Sequence, residues 1–297
     1  PLASRVEVPM VIGPLNGGLP WPKEYPELRQ QEREWLVPFR GLYKHLPYFK
    51  STYKNLAAVI SGSQHTATEV PSYFGGKRYL MAENGIDPGK FPIGEQWPAP
   101  TGRFRFITVG RMVPYKGIDM ILEAMSGSEL LRMCELVVVG DGPQRPALEA
   151  QIKSFALTGN VVLAGWKSQQ ELANELGRSQ AFVFPSLREF GGGVVLEAMA
   201  SGLPCIVADY GGPAELLDAT CGIRVALRPR AQLVPDVRSA MEKLMSNPVL
   251  CTSMSLSGRT RVKEEFTWNA KAAKIVSIYY ETVSGTSLNN TTKSRST

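Results

Sequence analysis

Residues 181–209 have the sequence AFVFPSLREFGGGVVLEAMASGLPCIVAD, which contains a predicted strand, a glycine-rich loop, a helix and a second strand. The apolar runs at 181–185 and 204–209 have the length and composition of buried strands. A helix is predicted to begin near Val194, between them. Strands and helices that alternate through short glycine-containing loops are typical of a parallel sheet covered by helices on both faces.

The same alternation extends toward the N-terminus. Further strands are predicted at 104–110, 134–140 and 160–165, with helices at 117–125, 143–155 and 168–176. The whole pattern predicts a Rossmann-like α/β domain over residues 99–266. Earlier in the chain a thinner signal favours strands at 8–13, 57–62 and 78–84 and mostly helical segments at 23–36, 39–55 and 64–73. These elements amount to about half of a doubly wound domain.

A linker is expected at residues 94–102, where GEQWPAPTG places two prolines and two glycines together. The chain of 297 residues then divides into an N-terminal domain over 1–98 and the Rossmann-like domain over 99–266. Apolar residues at helical spacing predict one long docking helix over 267–283. Residues 284–297 are polar and rich in Ser, Thr and Asn, a composition that predicts a disordered tail.

Composition excludes several classes of protein. The chain has 43% hydrophobic and 20% charged residues, and no apolar run approaches the roughly 20 residues of a membrane-spanning helix. Its four cysteines are widely spaced without CxxC pairs, so free thiols in a reducing cytoplasm are expected and a structural zinc site is not. The net charge of +6 is spread along the chain, so the sequence predicts no basic patch of the kind that binds nucleic acid.

Candidate functional residues cluster where predicted strands end, the edge of an open parallel sheet at which ligands bind. The strand at 104–110 ends at Gly110, and Arg111 and Lys116 follow in the loop VGRMVPYKG. Two cations beside a helix N-terminus can form a diphosphate clamp, with an ordinary basic surface loop as the alternative. The glycine-rich turn that starts at Gly140 indicates nucleotide contact only weakly. Because it lacks the GxGxxG fingerprint, a Rossmann oxidoreductase is disfavoured.

The next strand ends at Gly165, which is followed by Trp166. Backbone groups here can recognise the edge of a nucleotide base while Leu172 packs on its ring. A half-buried packing role for Trp166 is an equally good interpretation. Ser168 and Glu171 have the spacing of a capping box, which predicts a helix start at this point.

The most specific feature is a pair of glutamates, Glu189 and Glu197, separated by seven residues that include three consecutive glycines. The glycines let a ligand approach the backbone, and the helix that follows presents unpaired N–H groups suited to phosphate. Glu189 can reach the distal part of an anionic ligand, whereas Glu197 lies about one turn inside the helix and can accept paired hydroxyls. The arrangement favours a diphospho-sugar site over the alternative of two solvated glutamates.

Taken in order, the motifs GRxxxxKG, VGDGP, GW, EFGGGVVLEAMASGLP and GGPAEL resemble the family 4 glycosyltransferases of GT-B fold. The resemblance covers about residues 100–283 and implies two Rossmann-like domains with parallel sheets. ENGIDPGKF at 83–91 is similar to the family's NGID stretch before the linker, and VIGPLNGG to a strand and loop of its N-terminal domain. The helix at 267–283 resembles C-terminal helices that pack back on that domain.

The resemblance implies a role for each site residue. Arg111 and Lys116 would neutralise the donor diphosphate, which becomes the leaving group. Glu197 would bind the ribose hydroxyls, and Glu189 would face the donor sugar. The other donor-binding positions that the resemblance implies are Gly110, Gly140, Gly165, Trp166, Leu172, Phe190, Gly191, Gly192, Gly193 and Val194.

The reaction implied is retaining transfer of a hexose from a UDP- or GDP-sugar to a hydroxyl of a sugar, glycan or lipid-linked acceptor. No cofactor or metal is expected, and the lack of a DxD motif beside these segments agrees with that. Lys and Arg side chains can stabilise a departing diphosphate electrostatically, the role that a divalent ion fills elsewhere. The base, the hexose and the acceptor are left open.

The resemblance also exposes a departure, because fewer than 100 residues precede the linker. The family's N-terminal domain is normally about as large as the C-terminal one, so a truncated N-terminal domain is expected. Truncation would expose a sheet edge and apolar surface, and both favour pairing with a second copy of the chain. The alternative function is then a nucleotide-sugar-binding or assembly protein with little transfer activity. Asn16 stands near where relatives often place a histidine, so no acid or base is assigned there. His65 is the nearest alternative candidate, although a capping or packing role is favoured for it.

Residues 39–54, FRGLYKHLPYFKSTYK, interleave cations with aromatic side chains. Such a face can dock on a membrane surface, so the cytoplasmic location expected for the chain includes a peripheral position on the inner face of the membrane as an open alternative. Pro47 interrupts the helix, however, and aromatic residues at helical spacing more often pack in a core. Core packing is therefore the favoured interpretation.

Overall fold

Parallel β-sheets organise the chain in two structural units. The computed structural model describes residues 8–31, 41–42 and 44–293. Unit 1 comprises Pro1–Leu19, Arg29–Glu83 and Asn269–Thr297, and unit 2 comprises Pro20–Leu28 and Asn84–Trp268. Each unit contains its own sheet and its own buried core.

The described part of unit 1 contains a parallel sheet in the order β1-β2-β3. Its strands are β1 (Met10–Leu15), β2 (Leu56–Ser61) and β3 (Lys77–Leu80). The helices in the first part of the chain are α1 (Pro26–Gln31), α2 (Phe49–Lys54) and α3 (Gln64–Glu69). The predicted helix at 23–36 falls partly, and that at 39–55 partly, on residues outside the described ranges. The central strand β2 is largely buried, and its Leu56 and Val59 pack with Val70 and Phe74.

Unit 2 is built on a parallel sheet whose strands follow the order β6-β5-β4-β7-β8-β9. The strands are β4 (Arg105–Val109), β5 (Glu135–Val139), β6 (Val161–Gly165), β7 (Ala181–Phe184), β8 (Cys205–Ala208) and β9 (Gly222–Val225). The first strand of the unit lies inside the sheet, and the order reverses beside it, as in doubly wound Rossmann-like folds. The prediction of an α/β fold with parallel sheets is confirmed.

Helices connect these strands. They are α4 (Ile118–Ser126), α5 (Arg145–Ser154), α6 (Gln169–Gly177), α7 (Gly193–Ala200), α8 (Gly211–Leu216), α9 (Arg230–Met245) and α10 (Pro248–Arg261), followed by α11 (Trp268–Lys293). Local sequence signals do not predict β9 or α8 to α10. The strand β9 is short and carries a half-exposed arginine, Arg224, while α9 contains Pro235, and both features weaken the local signals.

Burial explains why the strands of unit 2 are continuous apolar runs. Every residue of β7 and of β8 is buried. A parallel strand covered by helices on both faces has no solvent-facing side, so its apolar residues do not alternate with polar ones. On α4, in contrast, Ile118, Ile121 and Leu122 belong to a buried face, which is the amphipathic pattern of a surface helix.

The predicted linker at 94–102 packs on unit 2 instead of joining two units. Trp97 is buried, and its indole N–H donates to the Gln180 carbonyl at 2.9 Å. The Gly94 N–H donates to the Ala200 carbonyl at 2.9 Å. The boundary between the units accordingly falls after Glu83 rather than after residue 98. Prolines and glycines ended the regular structure here, but a buried tryptophan holds the segment in place.

The last helix, α11, packs within unit 1 and extends beyond its predicted end. Its Ile278 is buried with Ile60 and Met81, and the Lys271 ammonium donates to the Ala82 carbonyl. The helix continues to Lys293, where the sequence analysis predicts a disordered tail from residue 284. No proline interrupts this stretch, and a helix already formed propagates with one hydrogen bond per added residue. None of the described helices combines the length and the apolar composition needed to cross a membrane.

Replacing the fully buried Leu122 of α4 with alanine is expected to lower the free energy of unfolding by about 2–5 kcal/mol, because the change leaves a cavity in the core. Leu256→Ala is the matched control, since Leu256 on α10 is 61% exposed and its loss should cost no more than about 0.5 kcal/mol. Urea unfolding followed by circular dichroism measures both values. Equal losses in the two variants would contradict the placement of α4 in the core.

Candidate functional site

The carboxyl ends of neighbouring unit 2 strands are joined by backbone contacts. The Gly110 N–H donates to the Val139 carbonyl at 2.9 Å, and the Gly140 N–H donates to the Gly165 carbonyl at 2.8 Å. A Cβ on Gly140 would lie 2.1 Å from the Gly110 carbonyl oxygen, so no side chain fits there. The structure therefore brings the ends of β4, β5 and β6 side by side, with a predicted site glycine in each.

The turn after Gly140 supports the neighbouring loop. The Met112 N–H donates to the Asp141 carbonyl at 2.9 Å, and a Cβ on Gly142 would lie 2.5 Å from the Met112 carbonyl oxygen. The Asp141 carboxylate accepts from the Gly142 N–H at 2.7 Å and from Arg145 at 3.1 Å. These contacts account for the glycines and the aspartate of this turn by packing, and nucleotide contact at Gly140 stays a prediction.

Lys116 and Glu189 form an ion pair. The Lys116 ammonium donates a hydrogen bond to the Glu189 carboxylate, and the two side chains are 13% and 25% exposed. The ammonium nitrogen also lies 5.0 Å from the centre of the Phe184 ring, a favourable cation–π position. The sequence predicts that Lys116 and Glu189 contact different parts of a ligand, and the structure places the two side chains in direct contact.

Arg111 differs from Lys116 in its surroundings. It is exposed, and its guanidinium has no hydrogen-bond or ion-pair partner among the residues that the structure describes. Its backbone carbonyl accepts from the Val113 N–H at 2.9 Å, which tightens the loop directly after β4. The loop thus carries one cation balanced by a carboxylate and one that is available to an anion.

The glycine-rich loop before α7 rests on the residues that follow β8. The Gly212 N–H donates to the Glu189 carbonyl at 3.0 Å, and a Cβ on Gly212 would lie 1.8 Å from the Phe190 carbonyl oxygen. Gly192 adopts a left-handed conformation with φ of 62°, and a Cβ there would meet the Pro213 ring at 3.0 Å. The path of this loop therefore requires glycine at these two positions.

The N-terminus of α7 lies at the end of this loop. The N–H groups of Gly193 and Val194 begin the helix, where no intrahelical acceptor exists, and the partial positive charge of that end favours an anion. A Cβ on Gly193 would lie 3.4 Å from the side-chain amide carbon of Asn84. Asn84 is not among the site residues predicted from the sequence, although it lies in the ENGID stretch that resembles a family motif.

Glu197 is a half-buried carboxyl group on α7. Burial raises the pKa of Glu197 above its ordinary value of 4.5. Its carboxylate has no hydrogen-bond or ion-pair partner within the described ranges, while its backbone carbonyl accepts from the Ser201 N–H at 3.1 Å. A half-buried carboxylate without a partner is costly, and such groups concentrate at functional sites.

The loop after β6 is open to solvent. Trp166 is 68% exposed, which excludes the half-buried packing role considered for it. Gly165 adopts φ of 69°, and a Cβ there would meet no atom within 4 Å. Leu172 is partly buried on α6. This loop leaves room beside an exposed aromatic ring, as the predicted base contact requires.

The capping box at the start of α6 is confirmed. The Ser168 hydroxyl oxygen accepts from the Glu171 N–H at 3.3 Å, and the Glu171 carboxylate accepts from the Ser168 N–H at 2.8 Å. The hydrogen bonds from Ser168 hold the pKa of Glu171 below its ordinary value. Local sequence spacing alone predicted this contact correctly.

In unit 1, Asn16 and His65 lie in different surroundings. The Asn16 amide nitrogen donates to the Glu83 carboxylate at 2.8 Å. Asn16 also lines a cavity of about 210 Å³ together with Thr66 and Glu69, whereas His65 does not. That neither Asn16 nor His65 serves as a catalytic acid or base stays a prediction.

The aromatic and basic segment at 39–54 is described in part, since residues 39, 40 and 43 lie outside the described ranges. Leu42, Leu46 and Tyr48 are exposed. Tyr53 packs against the unit 1 core and meets the Phe74 ring edge-on at 6.2 Å. The segment therefore combines one aromatic residue in the core with exposed apolar residues, and membrane contact stays a prediction.

The cysteines are buried free thiols. Burial raises the pKa of Cys134 and of Cys251 to about 12, so both thiols stay protonated and unreactive at neutral pH. Among the residues that the structure describes, no group of three or more His, Cys, Asp or Glu side chains is arranged to hold a metal ion.

Comparison with known sequences gives a family and several relatives. A family model described as "Glycosyl transferases group 1" matches residues 90–260. The alpha-D-kanosaminyltransferase of Streptomyces kanamyceticus is 31% identical over 177 residues, which cover 58% of this chain and 44% of that protein. A glycogen synthase of Mycobacterium tuberculosis is 28% identical over 229 residues, covering 75% of this chain and 53% of that protein. The chain thus spans about half the length of these curated relatives.

Comparison with solved structures gives the same fold. The sucrose-phosphate synthase of Thermosynechococcus elongatus superposes with a TM-score of 0.65 at 22% sequence identity. The superposition covers 86% of this chain and 65% of that one. At this identity the similarity establishes the arrangement of strands and helices and nothing further.

Replacing Glu197 with glutamine is expected to raise the free energy of unfolding at pH 7. The raised pKa of Glu197 means that its charged form is less stable in the folded protein than in the unfolded chain. This cost is absent below the ordinary value of 4.5 and grows as pH rises through the raised folded value. The advantage of Glu197→Gln should therefore be present at pH 7 and vanish at pH 4. Urea titrations at both pH values measure it.

Glu264→Gln serves as the control for this measurement, because Glu264 is exposed in the same unit. Its replacement should leave the free energy of unfolding nearly unchanged at both pH values. A Glu197→Gln variant no more stable than the wild type at pH 7 would contradict the cost assigned to this buried carboxylate.

Proposed function

Because the chain belongs to the glycosyl transferases group 1 family, we propose that it binds a nucleotide diphosphate sugar at the carboxyl edge of the unit 2 sheet and transfers the hexose to an acceptor hydroxyl. The observation that carries the proposal is Glu197, a half-buried carboxylate without a partner among the described residues. It lies just inside α7, whose N-terminus follows the left-handed Gly192.

Two parts of the candidate site would bind two parts of one ligand. The N–H groups of Gly193 and Val194 and the exposed Arg111 offer positive potential to a diphosphate. Glu197, about one turn into the helix, can accept hydrogen bonds from the ribose hydroxyls. Binding of paired hydroxyls would supply the partners that its carboxylate lacks, which offsets the cost of its burial.

The Lys116–Glu189 pair would change partners when the donor binds. A diphosphate competes with the Glu189 carboxylate for the Lys116 ammonium, since both are anions. Once Lys116 faces the diphosphate, the Glu189 carboxylate can accept hydrogen bonds from the hydroxyls of the donor sugar. The ion pair keeps both side chains in position for this exchange.

Transfer requires stabilisation of the leaving group. As the bond between the sugar and the diphosphate breaks, negative charge grows on the diphosphate oxygens. Arg111, Lys116 and the α7 N-terminus would stabilise that charge without a divalent ion. Retention of anomeric configuration and independence from metals are parts of this proposal, with Arg111, Lys116 and Glu189 as the residues nearest the reacting atoms.

The base would lie against the loop after β6. Trp166 offers an exposed ring, and the backbone at Gly165 is accessible. Both a uracil and a guanine base suit such a surface, so UDP- and GDP-sugars are tested together. The homodimer, the truncation of the N-terminal domain and the peripheral membrane contact stay predictions of the sequence.

A thermal-shift panel of UDP-, GDP- and ADP-glucose identifies the donor class, because a ligand that binds the folded state raises the melting temperature. Running the panel once with EDTA and once with magnesium tests the independence from divalent ions. A shift that appears only when magnesium replaces EDTA would contradict the metal-independent proposal. Incubation of the best donor, radiolabelled in its hexose, with candidate sugar acceptors then separates transfer from binding alone.

Replacing Lys116 or Glu197 with alanine is expected to weaken binding of the selected nucleotide sugar about tenfold or more, because each change removes a charged hydrogen-bonding group. Lys153→Ala is the matched control, since Lys153 is an exposed lysine on α5. Isothermal titration calorimetry measures all three affinities. Unchanged affinity in both site variants would refute the proposed site.

A further inference from the structure

Residues Pro20–Leu28 belong to unit 2, although the residues before and after them belong to unit 1. The Tyr25 side chain is buried in the unit 2 core, and its hydroxyl donates to the Arg228 carbonyl at 2.7 Å. Burial raises the pKa of Tyr25 to about 12, so the hydroxyl remains a donor. The Tyr210 hydroxyl donates to the Pro20 carbonyl at 2.7 Å. This segment, Pro20–Leu28, is therefore held to unit 2 at two points.

Between these two points, Trp21 contacts two loops of the candidate site. The Arg188 guanidinium carbon lies 4.6 Å from the centre of the Trp21 ring. The Tyr115 ring meets Trp21 edge-on, with ring centres 6.0 Å apart and planes inclined by 83°. Both geometries are attractive ones for an indole. The same two loops also meet through their backbones, since the Leu187 N–H donates to the Tyr115 carbonyl at 2.8 Å.

The residues that Trp21 contacts are chain neighbours of the ion pair. Arg188 directly precedes Glu189, and Tyr115 directly precedes Lys116. One indole thus touches the residue before each member of the pair. Neither contact follows from local spacing, because the segment that carries Trp21 lies far from both loops in the sequence.

We propose that Trp21 is a positioning residue that keeps the side chains of Lys116 and Glu189 close enough to form their ion pair. The inference rests on the proposed function, in which Lys116 faces the donor diphosphate and Glu189 the donor sugar. Removing the indole takes away a contact that the two loops share through Arg188 and Tyr115. The loops then move more independently, and the ammonium and the carboxylate spend less time together.

The consequence for a nucleotide sugar is selective. Binding of the diphosphate and the sugar depends on the paired side chains and weakens when Trp21 is lost. Binding of the nucleoside depends instead on Glu197 and on the loop after β6, and neither adjoins Arg188 or Tyr115 in the chain. A general loss of folding would weaken all parts of the ligand alike.

The first measurement needs no nucleotide. Lys116 is 13% exposed and paired, so a small amine reagent such as acetic anhydride modifies it slowly. Trp21→Ala is expected to raise the labelling rate of Lys116, followed by peptide mass spectrometry, by about three- to tenfold. Trp21→Phe keeps an aromatic ring and should stay near the wild-type rate. The exposed Lys153 is the internal reference, and its rate should not change.

The second measurement compares ligands that share a base. UDP-glucose, UDP and UMP, and the corresponding guanine series, are titrated calorimetrically. Trp21→Ala should lower affinity for the nucleotide sugar by about tenfold and leave the monophosphate within about twofold. Arg188→Ala should act in the same way. The double variant should lose no more than the weaker-binding single variant, because the two residues act through one contact.

The outcomes separate the inference from the proposed function. An unchanged Lys116 labelling rate in a folded Trp21→Ala variant overturns the positioning role, whatever the nucleotide affinities are. Equal losses for all ligands, with a lower melting temperature and no rescue by phenylalanine, also overturn it. If the wild type binds no nucleotide sugar, the proposed function fails, and the labelling rate still decides the role of Trp21. Should Trp21→Ala not fold, Arg188→Ala carries both measurements.

Discussion

The close approach of backbone to backbone at the carboxyl edge of the unit 2 sheet governs the rest of the site. A side chain on Gly140 would collide with the Gly110 carbonyl, and one on Gly212 would collide with the Phe190 carbonyl. Because these loops touch through bare peptide groups, the ends of several strands form one continuous surface. Side chains that project from the loops, such as Lys116 and Glu189, can then meet although they are distant in sequence. The proposed binding of a nucleotide sugar depends on this close approach of the loops.

Charge is distributed unevenly over that surface. Glu189 has a cation beside it, whereas Glu197 is half-buried with a raised pKa and no partner among the described residues. The difference follows from position, since Glu189 lies in a loop that Lys116 can reach and Glu197 lies on a helix against the sheet. The Glu189 carboxylate is paired with the Lys116 ammonium, whereas the Glu197 carboxylate has no hydrogen-bond donor among the described residues. A ligand with a diphosphate, a sugar and a ribose offers both an alternative anion for the cation and hydroxyls for both acids.

Much of unit 2 was predictable, and the exceptions share a cause. The buried strands and the helices α4 to α7 have strong local signals, and the capping box of Ser168 and Glu171 is formed by neighbours in the chain. Asn84 and Trp21, which are not among the site residues predicted from the sequence, lie in segments without a regular period and come near the predicted site residues only through the fold. The segment at 94–102 was predicted as a linker because prolines and glycines mark the end of regular structure, yet they do not reveal that Trp97 is buried.

The sequence by itself determined the α/β class, the order of strands and helices in most of unit 2 and the set of residues at the strand ends. Those features depend on hydrophobic period and turn composition, which act over a few residues. Only the tertiary structure decided that Lys116 pairs with Glu189, that Glu197 is left without a partner among the described residues, and that Trp21 joins the two loops. Pairing between distant side chains depends on which strands lie side by side, and strand order is set by packing of the whole sheet.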